Sequence, residues 1–325
     1  MSGFWEGRDV FVTGATGFIG GRLVREILEA GADVTVLTRE ANRGEDLAAA
    51  GAEVQEGDIT DPDGFAIGDP DTVIHAAAWI AFGIPSSKEQ LFRATNVAGT
   101  ENVLAAAKDA GVDVFCHVSS VAAIGPTPGG LYPEERAVEK RYPEFQNLYA
   151  ETKHAAHEHV LENHGGMRLV VPMPSVVLGV GSGFQGLMEA FLEGNVWRMR
   201  GDNPTGFVHV EDVVEGTLGA LEHGEGCYIF NDRNLTLGEL WDTFAEASGQ
   251  PAPDRTAPLW AAKLLAHVVQ APYKLAGKVP PLSVEMIEAL EVPLTYSSRR
   301  ARDELGWEPA MEERLPSDFA QLQSR

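Results

Sequence analysis

The chain has 325 residues, enough for one large domain or two smaller ones, and its 44% hydrophobic content allows a substantial core. With 48 acidic residues against 25 basic, its net charge of −23 repels nucleic acid and anionic membranes, so neither is expected as a partner. No apolar run reaches the roughly 18 residues of a membrane helix, and the opening MSGFWEGRDV lacks the layout of a secretory signal, so a cytoplasmic protein is expected.

The predicted elements alternate from the start. DVFVT (9–13) reads as a strand, and residues 18–30 as a helix ending near Gly31. Strands follow at DVTVL (33–37), AEVQEGD (52–58), TVIHAAA (72–78), VFCHVSS (114–120) and MRLVVP (167–172), with helices over 88–109 and 147–164. Alternation of this kind predicts an α/β fold with a doubly wound parallel sheet covered on both faces. Beyond residue 175 the rhythm loosens. GFVHV (206–210) and CYIFN (227–231) each lead into a helical pattern, followed by a proline-punctuated, Trp- and Ala-rich stretch over 251–282. The reading is a dinucleotide-binding unit over 1–175. A smaller, partly helical C-terminal substrate lobe over 176–325 is interleaved with the sheet. Cys116 and Cys227 lie far apart in apolar strand-like stretches, which suits buried thiols.

The stretch FVTGATGFIGG places Gly14, Gly17 and Gly20 directly after the first strand and at the start of a helix. Such a turn needs one glycine for tightness, one for close approach to a pyrophosphate and one for helix–strand packing. The helix N-terminus then offers free N–H groups to phosphate. The second strand ends in Thr38 and Arg39 where an acidic residue would favour NAD through the ribose hydroxyls. A guanidinium there pairs with a 2′-phosphate instead, so NADP is the preferred cofactor and NAD the alternative, with Arg43 as an assisting cation.

The glycine spacing of TGATGFIG resembles the extended short-chain dehydrogenase/reductase family, also called the NAD-dependent epimerase/dehydratase family. So do GDIT (57–60), HAAA (75–78), NVAGT (96–100), HVSS (117–120), YAETK (149–153), PSVVLG (174–179), FVHVEDVV (207–214) and LGW (305–307). The resemblance covers nearly the whole chain and implies a Rossmann fold. It implies that Gly14, Thr16, Gly17, Phe18, Ile19, Gly20, Arg39, Asp58, Ile59, Ala76, Ala77, Ala78, Lys153, Pro174 and Val177 bind the cofactor. Tyr149 is implied as the acid/base and Lys153, one helical turn on, as the residue that lowers its pKa and bonds the nicotinamide ribose. The resemblance implies Ser120 as the holder of the substrate oxygen, with Ser119 as the fallback, and Asn96 as either a proton-relay member or a helix-shaping residue. Homodimers packing helices 88–109 and 147–164 are common in the family. The strongly acidic, arginine-over-lysine composition likewise resembles proteins of salt-in halophilic archaea.

Three departures bear on substrate. Val176 stands where nucleotide-sugar epimerases usually carry Asn, Thr205 where they carry Arg, and EALEVPLTYSSRRA where they carry an R-x-GD segment. A diphosphate needs cationic partners. These segments resemble dihydroflavonol reductases and hydroxysteroid dehydrogenases instead, with Trp260, Leu264, Val268 and Tyr273 expected around an apolar pocket. The leading expectation is hydride transfer between a nicotinamide cofactor and a small uncharged carbonyl or secondary alcohol. The alternatives are a nucleotide-sugar epimerase, with Arg198 and Arg200 supplying charge, and a non-catalytic nicotinamide-binding sensor. His154, His157 and His159 miss the i, i+4 metal spacing, so no metal is expected; His209 and Asp212 resemble a scaffold motif.

Overall fold

The computed structural model describes residues 3–131 and 145–325. Strands β1 (Asp9–Thr13), β2 (Asp33–Thr38), β3 (Glu53–Glu56), β4 (Thr72–His75), β5 (Val114–His117) and β6 (Arg168–Pro174) arise in chain order. After β7 (Val176–Leu178), β8 (Arg198–Arg200) and β9 (Thr205–His209) come β10 (Gly226–Phe230), β11 (Arg233–Leu235) and β12 (Thr256–Pro258). Seven strands form one sheet in the order β10-β6-β5-β4-β1-β2-β3, and every pairing in it is parallel. This is a doubly wound Rossmann sheet, and its order reverses between β1 and β4, where such sheets open a ligand crevice.

Strand residues divide by parity. Val10, Val12, Val34, Val36, Ile74 and Cys116 pack into one core, while Phe11, Leu37, Val73, Phe115 and Cys227 pack into the other. Both faces are buried, which is why these strands read as nearly unbroken apolar runs. Helices α1 (Gly20–Glu29), α2 (Glu45–Ala49), α3 (Ser86–Arg93), α4 (Gly99–Ala110) and α5 (Leu148–Asn163) connect the first strands. Then come α6 (Gln185–Leu192), α7 (Val210–His223), α8 (Leu237–Ser248) and α9 (Leu259–Leu275), and last α10 (Val284–Glu288), α11 (Arg299–Leu305) and α12 (Met311–Gln323). α8 starts on a full capping box between Thr236 and Glu239, worth about 1 kcal/mol.

The predicted helix 88–109 is longer and is interrupted. α3 and α4 are joined by a π turn at Ala94–Ala98. Such bulges cluster at functional sites, because the extra residue re-aims a side chain. Here it carries Asn96. The chain after 176 divides its residues: β10 rejoins the large sheet beside β6, while β11-β9-β7 form a small sheet of their own. Under that sheet Phe191, Trp241, Phe244 and Phe319 make a separate aromatic core. His209 caps α7 by accepting from Glu211 N–H at 3.2 Å and meets Asp318 at 3.0 Å. Asp212 accepts from Ala310 N–H and from Arg314. Both residues therefore tie α7 to the C-terminal helices.

One expectation is corrected. Trp260, Leu264, Val268 and Tyr273 are not gathered around an apolar pocket: Trp260, Leu264 and Val268 are exposed on the outer side of α9 and Tyr273 is exposed near its end, while Ala266 and Gln270 form the inner side. Helical periodicity identifies a stripe; it does not say which stripe meets the protein. Among the described residues no helix is long and apolar enough to cross a membrane.

Candidate active site

A cavity of about 410 Å³ opens at the carboxyl ends of β1, β2 and β4. Its walls include Gly14, Thr16 and Gly17 from the first turn, Thr38, Arg39 and Arg43 from the second, Asp58 and Ile59 after β3, and Ala76–Ala78 after β4. Gly14 has φ +74°, and a Cβ on it would lie 2.4 Å from Ala77 N and 2.5 Å from the Ala76 carbonyl carbon. The glycine therefore serves the close approach of β4 as well as the turn. A Cβ on Gly20 would lie 2.3 Å from the Gly14 carbonyl oxygen, so α1 can sit directly on the turn only without a side chain there. α1 has no side-chain cap and no acidic residue in its first turn. Gly21, Arg22 and Leu23 N–H already bond the Gly17 and Ile19 carbonyls, so what α1 offers a phosphate is mainly its positive dipole end.

Of the residues assigned to the cofactor by resemblance, Phe18, Ile19, Gly20, Lys153, Pro174 and Val177 do not line this cavity. Phe18 stacks on the Arg22 guanidinium, 4.4 Å from its ring centre, and backs Gly179. Ile19 and Val177 pack against the first core, and Pro174 is buried in β6. Thr13, Leu37, Gly57, Trp79, Leu91 and Thr95 also line the cavity. Thr13 and Gly57 open the TGATGFIG and GDIT segments without having been assigned to the cofactor, and no motif covers Leu37, Trp79, Leu91 or Thr95.

Tyr149 and Lys153 lie one turn apart on α5, which Asn147 caps by accepting from Ala150 N–H at 2.9 Å. Both are buried. Burial pushes the Tyr149 phenol up to about 12, partly offset by a hydrogen bond with Ser120. Burial pushes Lys153 down to about 8. The expected lowering of the phenol by Lys153 is thus not what this site shows: the ammonium donates instead to the Val118 carbonyl at 2.9 Å. That bond moors α5 to the end of β5. Phe82 meets the Tyr149 ring edge-on, with centroids 5.9 Å apart.

The two serines separate by direction. Ser119 is turned inward, 3.2 Å from His157 Nδ1 on α5, while Ser120 reaches Tyr149 and accepts from Ala122 N–H at 3.2 Å. Ser120 is the serine that joins the tyrosine. Asn96 is fully engaged. Its Oδ1 accepts from Trp79 N–H at 2.7 Å, and its Nδ2 donates to the Trp79 carbonyl at 3.0 Å and to Thr152 Oγ1 at 3.2 Å. The π turn thereby pins the chain leaving β4 to the helix that carries Tyr149. The three histidines of α5 have separate partners: His154 Nδ1 meets the Ala123 carbonyl, His157 meets Ser119, and His159 faces Glu101.

Sequence reasoning missed a buried polar ladder under the strand ends. Thr13 Oγ1 lies 2.7 Å from His75 Nδ1, and His75 Nε2 lies 2.9 Å from Thr100 Oγ1, which donates to the Asn96 carbonyl. His75 stacks on His117 at 5.6 Å. Neither ring nitrogen of His117 has a hydrogen-bond partner among the described residues. Burial and the nearby Lys153 ammonium depress both rings, His75 to about 3 and His117 well below the usual range.

A doubly wound parallel sheet with a glycine turn at its switch point defines a nucleotide-binding α/β enzyme fold. The model of the NAD dependent epimerase/dehydratase family matches residues 10–231, and the chain belongs to that family. A dihydroflavonol 4-reductase-like protein of Synechocystis sp. is 29% identical, over 91% of this chain and 89% of its own. The 3 beta-hydroxysteroid dehydrogenase/Delta 5-->4-isomerase of Mycobacterium tuberculosis is 30% identical, over 92% and 86%. Among solved structures, gox2253 superposes with TM-score 0.79 at 26% identity over 98% of both chains. With family and fold in hand, the protein is an enzyme of this NAD-dependent family of oxidoreductases and epimerases.

Proposed function

We propose that the protein is an NADP(H)-preferring reductase of an uncharged, largely apolar carbonyl, or the dehydrogenase of the corresponding secondary alcohol. The observation that carries the reading is the buried Ser120–Tyr149–Lys153 group, whose helix α5 is tied through Asn96 to Trp79 on the cavity wall. The residues present fit a dinucleotide: a glycine turn closed to any Cβ at Gly14, an uncapped helix N-terminus, and two arginines on the wall past β2. A bound nicotinamide supplies or accepts the hydride. Gly14, Thr16 and Gly17 would hold the pyrophosphate, Arg39 and Arg43 a 2′-phosphate, and Asp58 and Ile59 the adenine. Lys153 would hold the nicotinamide ribose. Ser120 orients the substrate oxygen, and the Tyr149 phenol passes its proton to that oxygen in reduction or takes it in oxidation. The lobe after residue 176 would close over the substrate.

An uncharged substrate is supported by one of the two arginines that the epimerase alternative would use; the other, Arg200, is exposed at the end of β8. Arg198 is committed to Asp242 and to the Pro253 and Gly238 carbonyls, so it is not held ready for a diphosphate. The steroid named for the Mycobacterium tuberculosis relative is of the substrate class we propose. The test is Tyr149→Phe against the wild type, with NADPH oxidation read over a panel of apolar ketones and aldehydes. The variant should lose turnover at least 100-fold while binding NADPH normally. Retained turnover would remove Tyr149 from the chemistry, and no turnover by the wild type together with micromolar binding of a nucleoside diphosphate would point to the epimerase.

A further inference from the structure

We propose that α9 seats the protein on an anionic lipid bilayer surface. The outer side of this helix carries Trp260 at 70% exposure, Leu264 at 59%, Val268 at 65% and Leu275 at 90%, with Leu265 beside them. Residues 260, 264 and 268 fall at i, i+4 and i+8, opposite Ala266 and Gln270, so they form one stripe rather than scattered apolar positions. An exposed stripe of this kind marks an interaction surface.

Charge says what covers it. The chain has 48 acidic residues, yet the whole stretch from Thr256 to Ser283 contains none. Lysine is scarce, and Lys263, Lys274 and Lys278 all fall within it. Lys263 turns inward to Glu288 and Glu291, while Lys274 and Lys278 are exposed at the end of the helix where Leu275 protrudes. A helix with an apolar stripe, a tryptophan and flanking lysines is built to lie in a lipid interface. A second copy of this chain is the competing occupant, and it would have to place Lys274 and Lys278 against a surface of its own. The overall negative charge does not prevent seating, since it is screened within about 10 Å. The expectation of no membrane partner rested on net charge and on the lack of a membrane-length apolar run, and neither takes account of this local reversal.

The position suits an apolar substrate. Behind α9, Pro280 and Ser283 pack on Gly83, whose N–H donates to Glu285 at 2.9 Å. The same loop carries exposed Ile80 and, against Tyr149, Phe82. Seating itself does not depend on the reductase reading, and its test reads binding rather than turnover.

The full chain is floated with vesicles of phosphatidylcholine alone and of phosphatidylcholine with phosphatidylglycerol in about 0.1 M salt, and its self-association is followed by sedimentation velocity. The wild type should float with the anionic vesicles. Leu264→Ser/Val268→Ser should stay behind, and Lys274→Ala/Lys278→Ala should bind anionic vesicles about 30-fold more weakly. Both variants change exposed positions and should keep nucleotide binding and melting temperature, which reports that they fold. Wild type left at the bottom with both vesicles, or equal flotation on the two compositions, would overturn the proposal. A wild-type oligomer that Leu264→Ser/Val268→Ser dissociates would assign the face to a second copy instead.

Discussion

Arg39 offers the sharpest test of cofactor choice. It lies exposed on the cavity wall just past β2, with Arg43 on the same wall and Thr38 bonded to its own loop at the Glu40 carbonyl. A guanidinium–phosphate bond contributes roughly 1.5–3 kcal/mol, and exposure places this one near the lower end. Asp at position 39 would remove about 1.5 kcal/mol from NADPH binding, repel the 2′-phosphate, and add about 1 kcal/mol for NADH through the ribose hydroxyls. The sum, about 2.5–3 kcal/mol, is a shift of about 100-fold in the NADPH-to-NADH preference. Arg43 remains, so NADPH binding weakens without vanishing. Dissociation constants for both nucleotides, from quenching of protein fluorescence, measure the ratio directly. A ratio for Arg39→Asp within about threefold of the wild type would refute the reasoning and place discrimination elsewhere in the cavity.

Gly14→Ala should cost about 3 kcal/mol, from φ +74° and a Cβ within 2.6 Å of the Ala76–Ala77 backbone. Gly17→Ala, whose Cβ meets only the Gly14 carbonyl at 3.0 Å, should unfold nearer the wild-type temperature; equal melting of the two would refute the close-approach argument. His75 and His117 are held neutral, with folded pKa values below their unfolded value near 6.5. Their contribution is therefore complete above about pH 6.5 and is lost as pH falls, at about 1.4 kcal/mol per pH unit for each ring. Urea unfolding at descending pH should show His117→Leu losing stability one proton less steeply than the wild type, and parallel curves would mean that His117 is not buried neutral.

Local motifs carried the glycine turn, the strand ends and the Tyr149–Lys153 pair, because each is set by neighbours within one turn or strand. Legibility ended where partners are distant. The Asn96 clamp spans 17 residues to Trp79 and 56 to Thr152, and the His75–Thr13 bond spans 62. No periodicity encodes such pairs. Ser119 and Ser120 were interchangeable by type; what separates them is that successive residues leaving a strand face opposite ways, and only α5 with His157 shows which way is inward. The π turn was hidden for a different reason: one extra residue per turn leaves ordinary helix-forming residues on either side.

The same burial that makes Tyr149 a poor phenolate makes it a dependable proton donor. With its pKa pushed up to about 12, the phenol is protonated across the whole neutral range, which is the state that carbonyl reduction consumes. Oxidation needs the phenolate and must first overcome that shift. Burial brings Lys153 down to about 8, within reach of neutrality. Its folded pKa is lowered, so the ammonium is present below pH 8 and lost above it. Reduction at saturating ketone and NADPH should therefore hold a plateau through neutral pH and fall as pH passes about 8. Lys153→Met should be slow at every pH and lack that limb. A wild-type reduction rate that instead rises through this range would mean that loss of the ammonium proton helps the reaction, and would exclude the charged lysine as the group that holds the nicotinamide ribose.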